Sequence, residues 1–203
     1  MITVQDGVVR LDDAGVAALL GGDELDLAGT PALDRAGLRP VMDTVRRPVV
    51  TLEVLVAGSS LQPHRVAVDA ERAVVLLAVR PGLQQLMVLP PSHVAAALVR
   101  VTRTGPRRGS GSGRRRAAPS QAAARLLSVD ADVRRDVLHE AGATLAWRLR
   151  VGWNGEHRDL VVVDGSDGPH VVDDGGALLP VSATTLYRVF STALPPQALE
   201  QRT

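Results

Sequence analysis

From Val49 to Val56 apolar and polar side chains alternate. Val50, Leu52, Val54 and Val56 fall on one side and Val49, Thr51, Glu53 and Leu55 on the other. A period of two predicts a β-strand whose first set faces the core. Gly58-Ser59-Ser60 breaks it. Further strands are predicted near 65–69 and 73–79, around the turn Asp69-Ala70-Glu71-Arg72, and over about 84–89. A second block sets Leu145, Trp147, Leu149, Val151 and Trp153 against Ala146, Arg148 and Arg150, and runs into Asn154-Gly155, a strong hairpin signal. Strands at about 158–163 and 169–173 should enclose Gly165-Ser166-Asp167-Gly168, with a short one near 177–180.

Helical spacing and its punctuation occupy the stretches between. Residues 2–10 suit a strand. Asp12 and Asp13 then offer caps for a helix over 14–20, stopped at Gly21-Gly22. Thr30-Pro31 predicts a helix over 31–36, and a further turn or two is expected between Pro40 and Arg47. Ser92 is read as the cap of a helix running to about 102, and Ser182 as the cap of the last one, which ends at Pro195-Pro196. From Ser120 the positions Ala123, Leu126, Leu127, Val133, Val137, Leu138 and Ala141 form a helical stripe, with Asp130 able to recap it and Gly142 closing it.

The chain also repeats itself. Thr51-Leu52 and His64-Arg65 recur as Thr144-Leu145 and His157-Arg158, both at an offset of 93 residues. Each half closes with a Pro-containing turn, a serine and an apolar helix. An internal repeat of this kind predicts two similar halves. Hairpin-length connections favour antiparallel pairing, so the expected class is α+β, with two pseudo-twofold-related halves, each an antiparallel meander flanked by helices. The halves are placed at 1–102 and 120–196, with a flexible linker over 103–119 and a tail over 197–203.

Composition narrows the function. All 23 basic residues are Arg, so the lysine of a P-loop or a kinase-type phosphate clamp is missing. The absence of cysteine removes thiol nucleophiles and Cys-ligated zinc. Neither a signal-peptide pattern nor a run of roughly 20 apolar residues is found, and a cytosolic protein is expected. Arg103, Arg107, Arg108, Arg114, Arg115 and Arg116 lie in a stretch without any acid; taking those six from 23 leaves 17 basic against 22 acidic residues in the body. This Gly/Ser/Arg segment reads as a solvated linker, with a nucleic-acid-binding arm as the alternative. No aromatic interleaves its arginines, so base stacking has no platform there.

No constellation carries evident chemistry. His139-Glu140 lacks the second histidine of a zinc helix, since position 143 is Ala. Asp164, Asp167, Asp173 and Asp174 fit two β-turns better than a calcium loop, which would need Gly and Glu where Pro169 and Gly175 stand. His64, Asp69, His157 and Asp164 are the remaining candidates for a hidden enzyme, but a repeat makes such pairs equivalent and therefore structural. No metal, cofactor or catalytic residue is expected. Trp147 and Trp153 suit core packing, or a partner patch at a strand end. Glu53 and the arginines Arg148 and Arg150 could pair across the pseudo-dyad.

Four stretches resemble the EspG family, the secretion-associated proteins of actinobacterial ESX (type VII) systems: VVRLDDAGVAALLGG, AGLRPVMDTVRRPVVTLEVLV, LMVLPPSHVAAALVRV and LLPVSATTLYRVFSTALP. The resemblance spans about 1–195 and rests on apolar and proline patterns, without a catalytic signature; the chain is short for the family. It implies a pseudo-twofold α+β fold and a cytosolic chaperone that holds a helical PE–PPE-type or WxG-type substrate by an exposed apolar tip. No family binding motif transfers to a residue here. Leu61, Trp147, Arg148, Arg150 and Trp153 are the partner-binding candidates read from the sequence itself.

Overall fold

The computed structural model describes residues 2–5, 8–21, 39–105 and 115–195. Among them eleven strands form one sheet: β1 (Ile2–Gln5), β2 (Val8–Asp12), β3 (Val50–Ala57), β4 (Leu61–Val68), β5 (Ala73–Arg80), β6 (Leu83–Leu89), β7 (Arg116–Ala117), β8 (Ala143–Trp153), β9 (Glu156–Gly165), β10 (Gly168–Val172) and β11 (Ala177–Pro180). Six α-helices accompany them: α1 (Asp13–Gly21), α2 (Arg39–Arg46), α3 (Val94–Thr102), α4 (Ala122–Leu126), α5 (Ala131–Glu140) and α6 (Ala183–Ser191). The fold is α+β. The sheet order is β1-β2-β6-β5-β4-β3-β8-β9-β10-β11-β7, and every pairing is antiparallel.

Two four-stranded meanders, β3 to β6 and β8 to β11, meet through their first strands, with Thr51 opposite Gly152 and Ala57 opposite Ala146. Antiparallel pairing of corresponding strands is the contact a twofold arrangement requires. The 93-residue offset does not survive inside the hairpins, however. His64 stands opposite Val54, whereas His157 stands opposite Gly152, and Trp147 faces Val162. A three-residue break after Ala57 and a two-residue turn after Trp153 set different registers, so no single offset aligns both strands.

Both faces of the sheet carry helices. On one, α3 and α6 pack together over the join, and Leu98, Leu186 and Phe190 close on Leu52, Val54, Trp147 and Leu149 in one hydrophobic cluster that spans both halves. The halves thus share a core. On the other face, α1 and α2 cover β2, β5 and β6 through Leu19, Val41 and Val45, while α4 and α5 cover the β8 to β11 side through Leu126 and Val137. Ala146, expected on the polar side of its strand, is fully buried because this second layer lies over it.

Local chemistry sets most boundaries. Asp12 Oδ1 accepts the Gly15 amide at 2.8 Å, capping α1. Asp130 caps α5 through the amides of Asp132 and Val133, and Gly142 leaves that helix at φ 61°. Asn154 and Gly155 take φ 48° and 79°, the left-handed pair a two-residue hairpin demands. Ser182 caps α6 as expected. Ser92 does not cap α3: it lies in a 3-10 turn, Pro91–His93, and the N-cap residue is His93, with no side-chain bond. The single strand expected over 2–10 is a hairpin of β1 and β2, which extends the sheet beyond β6. Both ends of the expected linker are built into the fold. Arg103 is the left-handed C-cap of α3, and Arg116 and Ala117 form β7 beside β11. The helix expected over 31–36 lies outside the described residues.

Candidate functional site

Between the two helical pairs on the second face, the floor of the sheet is left uncovered. Four strands cross it, β4, β3, β8 and β9, and their registers stack side chains into rows. Pro63, Leu55, Arg148 and Val161 form one row; Arg65, Glu53, Arg150 and Asp159 form the next. The second row alternates in sign. Arg65 lies 3.5 Å from Glu53, and Arg150 grips Asp159 with two nitrogens, at 3.0 and 2.9 Å. The Glu53–Arg150 pairing expected across the join is a direct register contact, but each residue takes its ion-pair partner from its own hairpin.

These ion pairs are partly exposed and worth about 0–1 kcal/mol each. Their electrostatic imprint is nevertheless consistent. The hydrogen bond from Arg150 holds the Asp159 carboxyl below its ordinary range, and the same bond raises the Arg150 guanidinium. Arg148 adds to the field, its Nε 3.9 Å from Asp159. At one flank the floor opens into a cleft of about 590 Å³ under α4, lined by Gln121, Leu127, Arg148, Asp159 and Val161. At the other, a smaller hollow of about 120 Å³ lies between Leu20, Val45, Thr51 and Arg65. The result is a saddle whose centre sets three arginines against two carboxylates, with one flank of mixed polarity and a smaller, more apolar one.

The five candidate contact residues separate. Arg148 and Arg150 lie on this floor, half-buried, and Leu61 sits at its end, packed beside Ala57 and Ala146. Trp147 does not belong with them. It is 1 % exposed, on the opposite face, with its ring centroid 5.5 Å from that of Phe190. A side chain so placed cannot touch a partner while α6 covers it, and its strand parity explains why: odd positions of β8 point to the shared core. Trp153 shares that face at the hairpin end, where it is half-buried and the Arg158 guanidinium lies 5.0 Å above its ring.

Glu53 was legible as an outer-face residue, whereas Asp159 was missed. A usable signal existed: a two-residue Asn-Gly turn fixes the register and puts Asp159 opposite Arg150.

The set His64, Asp69, His157 and Asp164 does not assemble. His157 and Asp164 lie seven residues apart along β9, roughly 23 Å at strand rise, and β4 and β9 are separated by two strands. Asp69 works as a turn residue: burial opposes its charge, but bonds from Thr44 and from the Arg72 and Glu71 amides hold its carboxyl low. No group of three or more metal-ligating side chains gathers among the described residues. Two linker arginines are engaged by the fold: Arg116 donates to the Ala141 carbonyl at 2.7 Å, and Arg115 approaches Asp173 at 3.8 Å. Arg107, Arg108 and Arg114 lie outside the described residues.

Fold and surface define an α+β protein with a broad open sheet floor. Its architecture is similar to that of the Mycobacterium tuberculosis type VII secretion system chaperone EspG5, solved in complex with the PE25–PPE41 dimer. The TM-score is 0.56 and the identity 10 %, over 93 % of this chain and 97 % of that one. At this identity the likeness establishes a shared fold. No protein-family model matches the chain, and no curated protein matches it by sequence. No helix among the described residues is long and apolar enough to cross a membrane.

Proposed function

We propose that this chain is a non-enzymatic, cytoplasmic binding protein of EspG type, a chaperone that holds a helical PE–PPE-type or WxG-type substrate of a type VII secretion system before export. The observation that carries the reading is the likeness to a secretion chaperone over nearly the whole of both chains. The surface suits the task. A helical substrate with an apolar tip is prone to aggregate, and a broad saddle with apolar side chains at its flanks and mostly paired charges at its centre can cover such a tip. Arg148 and Arg150 on the floor and Leu61 at its end are the contacts we assign. Trp153, with the Arg158 guanidinium over its ring, stands at the hairpin end as a separate anchor.

Co-expression with candidate small helical secretion substrates, including any encoded beside this gene, followed by affinity capture, tests the proposal. A stable one-to-one or higher complex with a helical partner is the expected result. If none of those proteins is retained, the reading fails. If the wild type retains a partner and Arg148→Glu/Arg150→Glu retains it equally, the function stands and the assigned surface is wrong.

A further inference from the structure

The core face of the sheet carries a second concavity, independent of the saddle. Past the Arg65–Leu76 pair the ladder between β4 and β5 ends, and β5 becomes irregular between Ala78 and Arg80. The strands part there because Pro63 has no amide to donate, and the His64 ring takes over: its Nδ1 accepts the Ala78 amide at 3.1 Å. Beside this seam, under the last turn of α3, lies a cleft of about 350 Å³, at the small end of ligand cavities, which run about 300–1,000 Å³.

Its walls are apolar, built from Val75, Leu77, Met87, Leu89, Ala97 and Val101. Its polar lining is one-sided: Arg100, Arg103, His64, Gln62 and Gln85, without a carboxylate. Neither arginine makes an ion pair among the described residues, although every arginine of the saddle's charged row is paired. His64 is 6 % exposed, and since Nδ1 accepts a bond, the neutral ring carries its proton on Nε2, which has no partner. A buried donor left without a partner is a standing cost to the fold. Apolar walls, two unneutralised cations and an unused donor complement one chemistry: an aliphatic chain ending in an anion.

We propose that this cleft binds a small aliphatic carboxylate, its chain against Leu77, Met87 and Val101 and its head at Arg100 and Arg103. The site does not depend on the chaperone reading. The arginines also offset the partial negative charge of the α3 carbonyl end, a role that would show in thermal stability and not in ligand affinity.

The test is calorimetric titration of the full chain with decanoate, and with decylamine as the opposite-charge control. Proton–nitrogen spectra of the histidine rings identify the site through His64. The expected result is saturable decanoate binding that shifts the His64 ring signals, at least tenfold tighter than decylamine, and weakened about tenfold or more in Arg100→Ala/Arg103→Gly. Glycine suits position 103, whose φ is 55°. Ala97→Trp, which fills the cleft from the helix side, should abolish binding while the Arg150–Asp159 face stays intact. Equal binding of both amphiphiles, absence of saturation, or full affinity in the double-arginine variant overturns the proposal.

Discussion

Protonation of His64 should weaken the fold as the pH falls. Burial drives its imidazole pKa down from 6.5 to about 4. The unfolded chain therefore takes up a proton below about pH 6.5, while the folded chain refuses it until about pH 4. More protons are bound in the unfolded state, so stability is full above pH 6.5 and declines as pH falls to 4. At 1.36 kcal/mol per unit the loss approaches about 3 kcal/mol at the bottom of the window and about 2 kcal/mol at pH 5. The structural cause is double: a charged ring would be buried between β4 and β5, and a protonated Nδ1 could no longer accept from Ala78. Urea unfolding, followed by tryptophan fluorescence at half-unit steps from pH 7.5 to 4.5, measures this. His64→Leu leaves the Ala78 amide without its acceptor but also removes the unpartnered Nε2 donor, two changes of about 1–3 kcal/mol in opposite directions, so its stability at pH 7.5 should lie within about 2 kcal/mol of the wild type. It should lack the His64-linked decline, so the gap between the two stability curves should move by about 2 kcal/mol in the variant's favour between pH 7.5 and 5. The low carboxyl pKa values of Asp69, Glu140 and Asp159 remove stability only at more acidic pH, since ordinary carboxylates already titrate near 4. Parallel curves for wild type and His64→Leu between pH 6.5 and 5 would refute the reasoning.

Two further outcomes follow from backbone geometry. A Cβ on Gly165 would lie 2.2 Å from the Gly142 carbonyl oxygen, where β8 and β9 slip register beside Ala143, so Gly165→Ala should cost more than about 2 kcal/mol in chemical denaturation. Gly155→Ala, with open space around it, should cost only the left-handed penalty of about 1–2 kcal/mol. Asp130→Ala should lose about 1 kcal/mol by removing the cap of α5, whereas Ser92→Ala should leave the thermal midpoint nearly unchanged because its hydroxyl caps nothing.

What the sequence determined on its own is what depends on near neighbours. Alternation in 50–56 and 145–153 set strand faces, and the buried sets Val50, Leu52, Val54 and Val56, and Trp147, Leu149 and Val151, lie where period two puts them. Asp130, Gly142, Asn154-Gly155 and Ser182 marked boundaries because caps and turns are satisfied within a few residues. Tertiary structure alone decided which strands lie side by side. The pairing of β3 with β8, the addition of β2 outside β6 and the capture of Arg116–Ala117 by β11 join segments far apart in the chain, and apolar periodicity is blind to partner identity. The same holds for the sites. Trp147 and Arg148 are adjacent in sequence, and their fates diverge because α6 covers one face of β8 while the centre of the other stays open. The His64 cleft exists because a proline halts a ladder at a point only the folded sheet defines.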